Sequence, residues 1–325
     1  MKQFIVVVFF ISFFALIFPA AAVLPEPIIY LPFDADWANA GSAGYEEPVV
    51  TEQNGISPQL NYKGGIIGGC LDQSGFPASG HPVLDENLQP GQVIFGTSDD
   101  QDTPMEMAMD DMVSFTIVGW FKGKIGSGSG ARLIARPYDE ANPESNNFQL
   151  LADRYYSGKM ELIVNGNSST QMQESFYDNS PNEWTFFAVT YDGTSSFNNV
   201  QWFKGYDDGT NEVIQSSGFC SLYSGTSTHG KHCRIHIGNS GDSGAWPFSG
   251  MLDEIRVYAS YTDTSGVLSL EQLEAIKSLA NEPKCGDDEH PYPAGDFNGD
   301  CVVGFEDLRI LCDNWLMATN FDLPE

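Results

Sequence analysis

Basic residues are scarce: 15 Lys and Arg stand against 44 Asp and Glu in 325 residues, a formal charge of −29. Such a chain repels polyanions, which excludes nucleic acid as a partner. The acidity fits cation binding, solubility in a saline habitat, or both, and charge alone does not separate them. Histidine is nearly as rare, five in all. Only His229, His232 and His236 fall near one another, and both a zinc site and ordinary hydrogen-bonded roles stay open for them. No C-x-x-C pair occurs among the six cysteines, which removes the common zinc and redox signatures. Also missing are a nucleophile elbow, a Gly-rich phosphate loop and any E-x-D-x-x-E strand from which a retaining glycosidase would set its two carboxyl groups. The nearest acid group, Glu106, Asp110 and Asp111 in "EMAMDDM", has the spacing of a surface loop. These gaps point away from an enzyme.

Long apolar runs are missing too, with one exception. Lys2 precedes an apolar stretch from Phe4 to Phe18, interrupted only by Ser12 and closed by Pro19 and by Ala20, Ala21 and Ala22. Residues 1–22 read as an export signal cleaved after Ala22. An uncleaved anchor is the alternative, though the run is short for a span of about 20 residues. Export would place the mature chain outside the cytoplasmic membrane, secreted or at the cell surface, where cysteines pair. Cys220 and Cys233 flank a Ser/Thr/Gly-rich stretch and suggest one bridge. Cys285 and Cys301 bracket the entry to an acidic C-terminal loop and suggest a second. Cys70 and Cys312 stay unassigned, because spacing does not fix connectivity.

What is present is a β pattern. From Ile28 to Tyr258 short apolar segments alternate with Gly, Asn, Asp, Ser and Pro clusters, and helical periodicity is almost absent. The spacing predicts strands over Ile28–Phe33, Ser114–Phe121, Ala131–Arg136, Phe148–Ala152, Met160–Val164, Trp184–Tyr191, Val200–Phe203, Arg234–Ile237 and Met251–Tyr258. In "WTFFAVTY", Trp184, Phe186 and Ala188 share one face while Phe187, Val189 and Tyr191 share the other, so this strand should be buried between two layers. A helix should begin at "SLEQLEAIKSLA", capped by Ser269 with Gln272 three residues on. Leu270, Leu273 and Ile276 form its apolar stripe, and it should pack as a lid. Residues 282–294, rich in proline, glycine and acid, read as a linker between a domain at 23–281 and a segment at 295–325.

The order of segments resembles the laminin-G-like, concanavalin A-like jelly roll of secreted bacterial proteins. The resemblance is carried by "IIYLPFD", "KGGIIGGCLDQSG", "SFTIVGWFK", "NEWTFFAVTYDG" and "RIHIGNSGDSGAWPFSGMLDEIRVY", and it covers nearly all of 27–280. It implies an all-β sandwich. In the last segment Asp253 should share a face with Ile255 and Val257, and a carboxylate directed inward needs a partner. Hydrogen bonds to loop amides, or a structural Ca²⁺ shared with a loop or with Asp34, would each serve.

The strongest chemical motif is "DFNGDCVVGFED". Asp296, Asn298 and Asp300 occupy loop positions 1, 3 and 5, the Val302 carbonyl position 7 and Asp307 position 12. From these positions an EF-hand loop wraps oxygen ligands around Ca²⁺. The terminal Asp and the following "LRILCDNWL" resemble the dockerin version of this loop, with Leu308, Leu311, Trp315 and Leu316 along one helical face. Only one such loop is present, and Cys301 replaces the usual Gly at position 6. The half-module should dock on the sandwich, pair with another chain, or meet a cohesin-like receptor.

Three functions follow. The first is a Ca²⁺-dependent binding or adhesion module for carbohydrate or a surface glycoprotein, tethered by the C-terminal loop. Among candidate stacking aromatics Trp37, Tyr138, Tyr155, Tyr156, Trp202 and Trp246, the loop residue Trp246 comes first and Trp202 reads as core. The others are a glycoside hydrolase and a purely structural cell-envelope protein.

Overall fold

The computed structural model describes residues 23–76, 91–96, 102–123, 130–136, 148–152, 160–165, 167–168, 182–216, 221–222, 225–226, 234–239, 246–281, 292–297 and 303–315. Two antiparallel sheets pack face to face. The strands, in chain order, are β1 (Ile29–Leu31), β2 (Val49–Val50), β3 (Gln59–Asn61), β4 (Cys70–Asp72), β5 (Val93–Phe95), β6 (Ser114–Gly123), β7 (Arg132–Arg136), β8 (Phe148–Leu151), β9 (Glu161–Val164), β10 (Asn167–Ser168), β11 (Thr185–Asp192), β12 (Val200–Tyr206), β13 (Ile214–Gln215), β14 (Ile235–Ile237) and β15 (Gly250–Ser260). Among the described residues three α-helices accompany them: α1 (Pro104–Ala108), α2 (Leu270–Ser278) and α3 (Phe305–Trp315). Sheet A runs β13-β12-β11-β6-β15-β4-β3, with β1 also on β15; sheet B runs β10-β9-β8-β7-β14-β5-β2.

The pleat sorts side chains into two cores. Phe115, Ile117 and Phe121 of β6, Phe187, Val189 and Tyr191 of β11, and Leu252, Ile255 and Val257 of β15 face sheet B. They meet Val93, Phe95, Ile134, Phe148, Leu150, Leu162, Ile235 and Ile237. The alternate residues Val118, Trp120, Phe186, Ala188 and Tyr258 form a second core on the far side of sheet A, under Leu273 and Ile276 of α2. The central strands of sheet A are therefore apolar on both faces, as the β11 sequence predicts, and each large apolar side chain so buried contributes about 1.5–3 kcal/mol. Trp202 lies in the inner core.

Helix α2 has the expected capping box between Ser269 and Gln272. Its stripe is narrower than predicted: Leu270 is 39 % exposed, while Lys277 is buried. The Lys277 ammonium reaches the Thr210 carbonyl and Asp208, which ties the helix to the β12–β13 hairpin. One prediction about β15 is overturned. A bulge lies between Asp253 and Arg256, with Glu254 in the left-handed region at φ 55°. The extra residue reverses the alternation, so Asp253 faces away from Ile255 and Val257 and toward the α2 side.

Candidate functional site

The bulge lies where two short strands share one long neighbour. β4 pairs with Met251 and Leu252, and β1 pairs with Ile255, Arg256 and Val257. Between them the edge of β15 lacks a strand, and carboxylates take the place of backbone acceptors. Asp253 is fully buried; its Oδ2 accepts from Ile66 N at 2.7 Å and Ile67 N at 3.1 Å, and its Oδ1 from Glu254 N at 2.8 Å. Asp34 Oδ1 accepts from Gly69 N at 2.8 Å. The glycine loop has no room for side chains: a Cβ on Gly65 would lie 2.7 Å from Asp253 Oδ2, and one on Gly68 would lie 2.2 Å from Asp34 Oδ1. Of the two partners open to Asp253 in the sequence, loop amides surround it.

Glu254 pairs with Arg256, and the Tyr30 hydroxyl donates to it at 3.0 Å. The Arg256 guanidinium also lies over the Tyr30 ring at 4.3 Å. Burial, reinforced by Glu254, raises the pKa of Asp253 well above the carboxylate range; burial raises Glu254 too, against the pull of Arg256. Beside this junction Cys70 is a buried free thiol pushed up to about 12, first by burial and then by Asp253. Cys312 is an exposed free thiol. Cys220, Cys233, Cys285 and Cys301 lie outside the described residues.

A second constellation sits at one end of sheet B. Trp246 is half-buried, and the Arg132 guanidinium lies over its ring at 4.6 Å. Trp246 N donates to Asn239 Oδ1 at 3.1 Å, and Arg132 N donates to the Trp246 carbonyl at 3.1 Å. Arg132 Nε continues to Gln149 Oε1 at 2.6 Å. The Arg132 guanidinium therefore covers one face of the indole, while Asn239 and the Arg132 amide fix the backbone of Trp246. Further along the outer face of sheet B, His236 packs Nδ1 against Gln92 Oε1 at 2.7 Å; burial, then Arg234, depresses its pKa to about 3. A neutral, hydrogen-bonded imidazole is what that describes. His229 and His232 lie outside the described residues, as do Tyr138, Tyr155 and Tyr156. Trp37 packs half-buried on the inner core, edge-on to Phe33 at 6.3 Å.

The acid group "EMAMDDM" is a surface loop only in part: Asp111 is exposed, but the first three residues close α1, whose Thr103–Glu106 capping box goes with complete burial of Glu106. Asp110 bridges the fully buried Arg136 at 2.8 Å. Burial raises the pKa of both Glu106 and Asp110. The capping signal T-x-x-E was present in the sequence at Thr103, and it identifies this turn.

In the C-terminal segment Asp307 is buried; it accepts from Phe297 N at 2.6 Å and Gly304 N at 2.7 Å. Loop position 12 is thereby drawn onto positions 2 and 9, next to Asp296. Asn298, Asp300 and Val302 lie outside the described residues. Helix α3 follows as predicted, but Leu308 is 52 % exposed and Phe305 89 %. Lys63 of the glycine loop lies over the Tyr292 ring at 5.1 Å. Among the described residues no group of three or more His, Cys, Asp or Glu side chains is gathered closely enough to hold a metal ion, and no helix is long and apolar enough to cross a membrane.

Two face-to-face antiparallel sheets in this order define a concanavalin-type jelly-roll sandwich. The chain belongs to the Laminin_G_3 family of the concanavalin A-like lectin/glucanases superfamily, whose profile matches residues 95–264. No curated protein matches it. Similar solved structures include domain 4 of AbnA, a GH43 extracellular arabinanase from Geobacillus stearothermophilus, in complex with arabinotriose. It has 15 % identity and a TM-score of 0.48, over 78 % of this chain and 98 % of that one. The botulinum neurotoxin serotype G binding domain has 8 % identity and a TM-score of 0.45, over 78 % and 51 %. The Ruminococcus gnavus IT-sialidase CBM40 bound to α2,3 sialyllactose has 16 % identity and a TM-score of 0.34, over 56 % and 92 %.

Proposed function

We propose that the protein is an exported, non-catalytic glycan-binding module whose ligand sits at the Trp246 rim of sheet B, with carbohydrate or a surface glycoprotein as its partner. The observation that carries this reading is the half-buried indole of Trp246, fixed by Arg132 and Asn239. A flat apolar ring held in place offers a stacking surface at little entropic cost. The acidic residues, by contrast, serve the fold: Asp34, Asp253, Glu106 and Asp110 are all engaged with backbone amides or arginine.

Calcium belongs to the C-terminal loop in this reading. Asp307 closes that loop through two amides, a fold-back compatible with oxygen donors converging from Asp296, Asn298, Asp300, the Val302 carbonyl and Asp307. Bound there, Ca²⁺ would supply the charge that holds these oxygens together. In this reading the amides around Asp253 serve the fold, and the cation is assigned to the C-terminal loop alone. The loop and α3 would serve as a tether, with a cohesin-like receptor as the partner.

Glycan-array binding by residues 23–325, with and without chelator, tests the reading. Trp246→Ala should abolish binding while leaving the melting temperature within a few degrees, and hydrolysis of any polysaccharide by the purified chain would sink it. Calorimetric titration should show Ca²⁺ binding on the order of 10⁻⁴ M, as in extracellular modules. Asp296→Ala with Asp300→Ala should remove it; a heat signal unchanged by that double variant would reject the loop assignment.

A further inference from the structure

Three Asn-Gly pairs occur in the chain, at Asn54, Asn165 and Asn298. In such a pair the glycine carries no Cβ to block the approach of its backbone nitrogen to the asparagine side chain. Asn54 and Gly55 are both exposed, and a Cβ on Gly55 would meet nothing within 4 Å. Asn54 has φ 55° and Gly55 φ 76°, so they suit the two central places of a type I′ turn. Gln53 N donates to the Ile56 carbonyl at 3.2 Å, and Ile56 N to the Gln53 carbonyl at 2.9 Å. That bridge lies outside the named strands, so the turn can open without parting either sheet, and opening frees the Asn54 backbone to bring the two groups together. Asn165 is placed differently: it is half-buried, and its Nδ2 donates to the Thr226 carbonyl at 2.7 Å. Asn298 lies outside the described residues.

The turn is joined to the Trp246 rim by a short relay of hydrogen bonds. The Ile56 carbonyl accepts from Gly91 N at 2.8 Å, and the Gly91 carbonyl accepts from Asn239 Nδ2 at 3.3 Å. Asn239 Oδ1 accepts in turn from Trp246 N at 3.1 Å. Beside this relay Thr51 N donates to the Gln92 carbonyl at 2.9 Å, and Gln92 N donates to Thr51 Oγ1 at 2.9 Å. The two segments touch closely, since a Cβ on Gly91 would lie 1.8 Å from the Thr51 carbonyl oxygen.

We propose that Asn54 is a site of spontaneous covalent modification, converting through a cyclic imide with Gly55 to isoaspartate and aspartate, and that the isoaspartate form loosens the Trp246 rim. Base removes the proton from Gly55 N, the nitrogen bonds to Asn54 Cγ, and the Cγ–Nδ2 bond breaks, releasing ammonia. Water then adds across one of the two imide C–N bonds. Opening at Cγ gives aspartate; opening at the Asn54 backbone carbonyl carbon leaves the main chain running through Cβ and Cγ. One water enters and one ammonia leaves, with no change of oxidation state. The isoaspartate main chain is longer by one C–C bond, about 1.5 Å. A two-residue turn has no slack for that length, so the Gln53–Ile56 bridge opens and the Gly91 amide loses its acceptor. The inference stands apart from the glycan-binding reading.

The test ages residues 23–325 in mildly alkaline buffer beside the free peptide of residues 51–58, for about ten half-lives of that peptide. Peptide mapping by mass spectrometry follows the gain of about one dalton at each asparagine, and labelling with an isoaspartyl methyltransferase separates isoaspartate from aspartate. Asn54 should convert at least fivefold faster than Asn165, with isoaspartate as the main product. Hydrogen exchange at the Trp246 amide should be at least tenfold faster in the aged wild type than in the fresh one. Fresh Asn54→Asp carries the charge on a normal main chain, and aged Asn54→Gly keeps a turn-forming pair without a side chain to react. Both should match the fresh wild type within twofold. Conversion of less than a tenth of Asn54 in that time, or equal rates at Asn54 and Asn165, would overturn the site. Unchanged exchange at Trp246 in converted protein, or the same acceleration in aged Asn54→Gly, would overturn the coupling to the rim. Acceleration in fresh Asn54→Asp would assign the effect to charge and overturn the role of the longer main chain.

Discussion

His236 should make the sandwich lose stability in mild acid. The ring lies 1 % exposed on β14, and its Nδ1 faces Gln92 Oε1 at 2.7 Å. Burial lowers its pKa from 6.5 to about 3. Between those values the unfolded chain binds a proton that the folded chain refuses, so the stabilisation is complete above pH 6.5 and is lost as pH falls toward 3. The shift amounts to about 5 kcal/mol at the acid limit, and to about 2 kcal/mol between pH 8 and pH 5. The buried carboxylates run the other way. Asp253, Glu254, Glu106 and Asp110 have raised values, so their share is complete below the unfolded carboxylate range and lost as pH rises through their folded values. A raw pH curve mixes the two signs, and the difference from His236→Asn separates them, because asparagine Nδ2 keeps the donor to Gln92 and does not titrate. Urea unfolding at pH 8, 6 and 5 should show the wild type losing about 2 kcal/mol more than His236→Asn across that interval. Parallel profiles for the two proteins would refute the argument.

Asp253→Ala should cost about 3–5 kcal/mol in urea unfolding, because three amides lose their acceptor; a loss under 1 kcal/mol would mean that the glycine loop does not depend on this carboxylate. Ser269→Ala should cost about 1 kcal/mol through loss of the α2 cap, with faster amide exchange confined to residues 270–278. Uniformly faster exchange over β6 and β11 would show instead that the lid and sheet A open together.

All nine strands expected from periodicity are present, within a few residues at each end, because each carries enough alternating apolar residues to be read locally. β2, β3, β4, β5, β10 and β13 escaped notice for the opposite reason: with two or three residues apiece they have no period, and their pairing is set by longer neighbours. The face of Asp253 could not be read from alternation, because one inserted residue at Glu254 inverts it, and a bulge leaves no mark in a pattern of polar and apolar letters. Trp246 was legible as a loop aromatic from the Gly and Ser around it. Arg132 and Asn239, which hold it, were not, since they lie more than 100 residues and 7 residues away and meet it only through the packing of β7 against β14.

The pairing of β1 with β15 sets Ile29 opposite Val257, so the first strand to leave a ribosome or a translocation channel must wait for almost the last. Loop-closure entropy for so distant a pair is paid before any ladder bond repays it, which makes closure of this edge a late and slow event in assembly. During synthesis that seam stays open until most of the chain has been made.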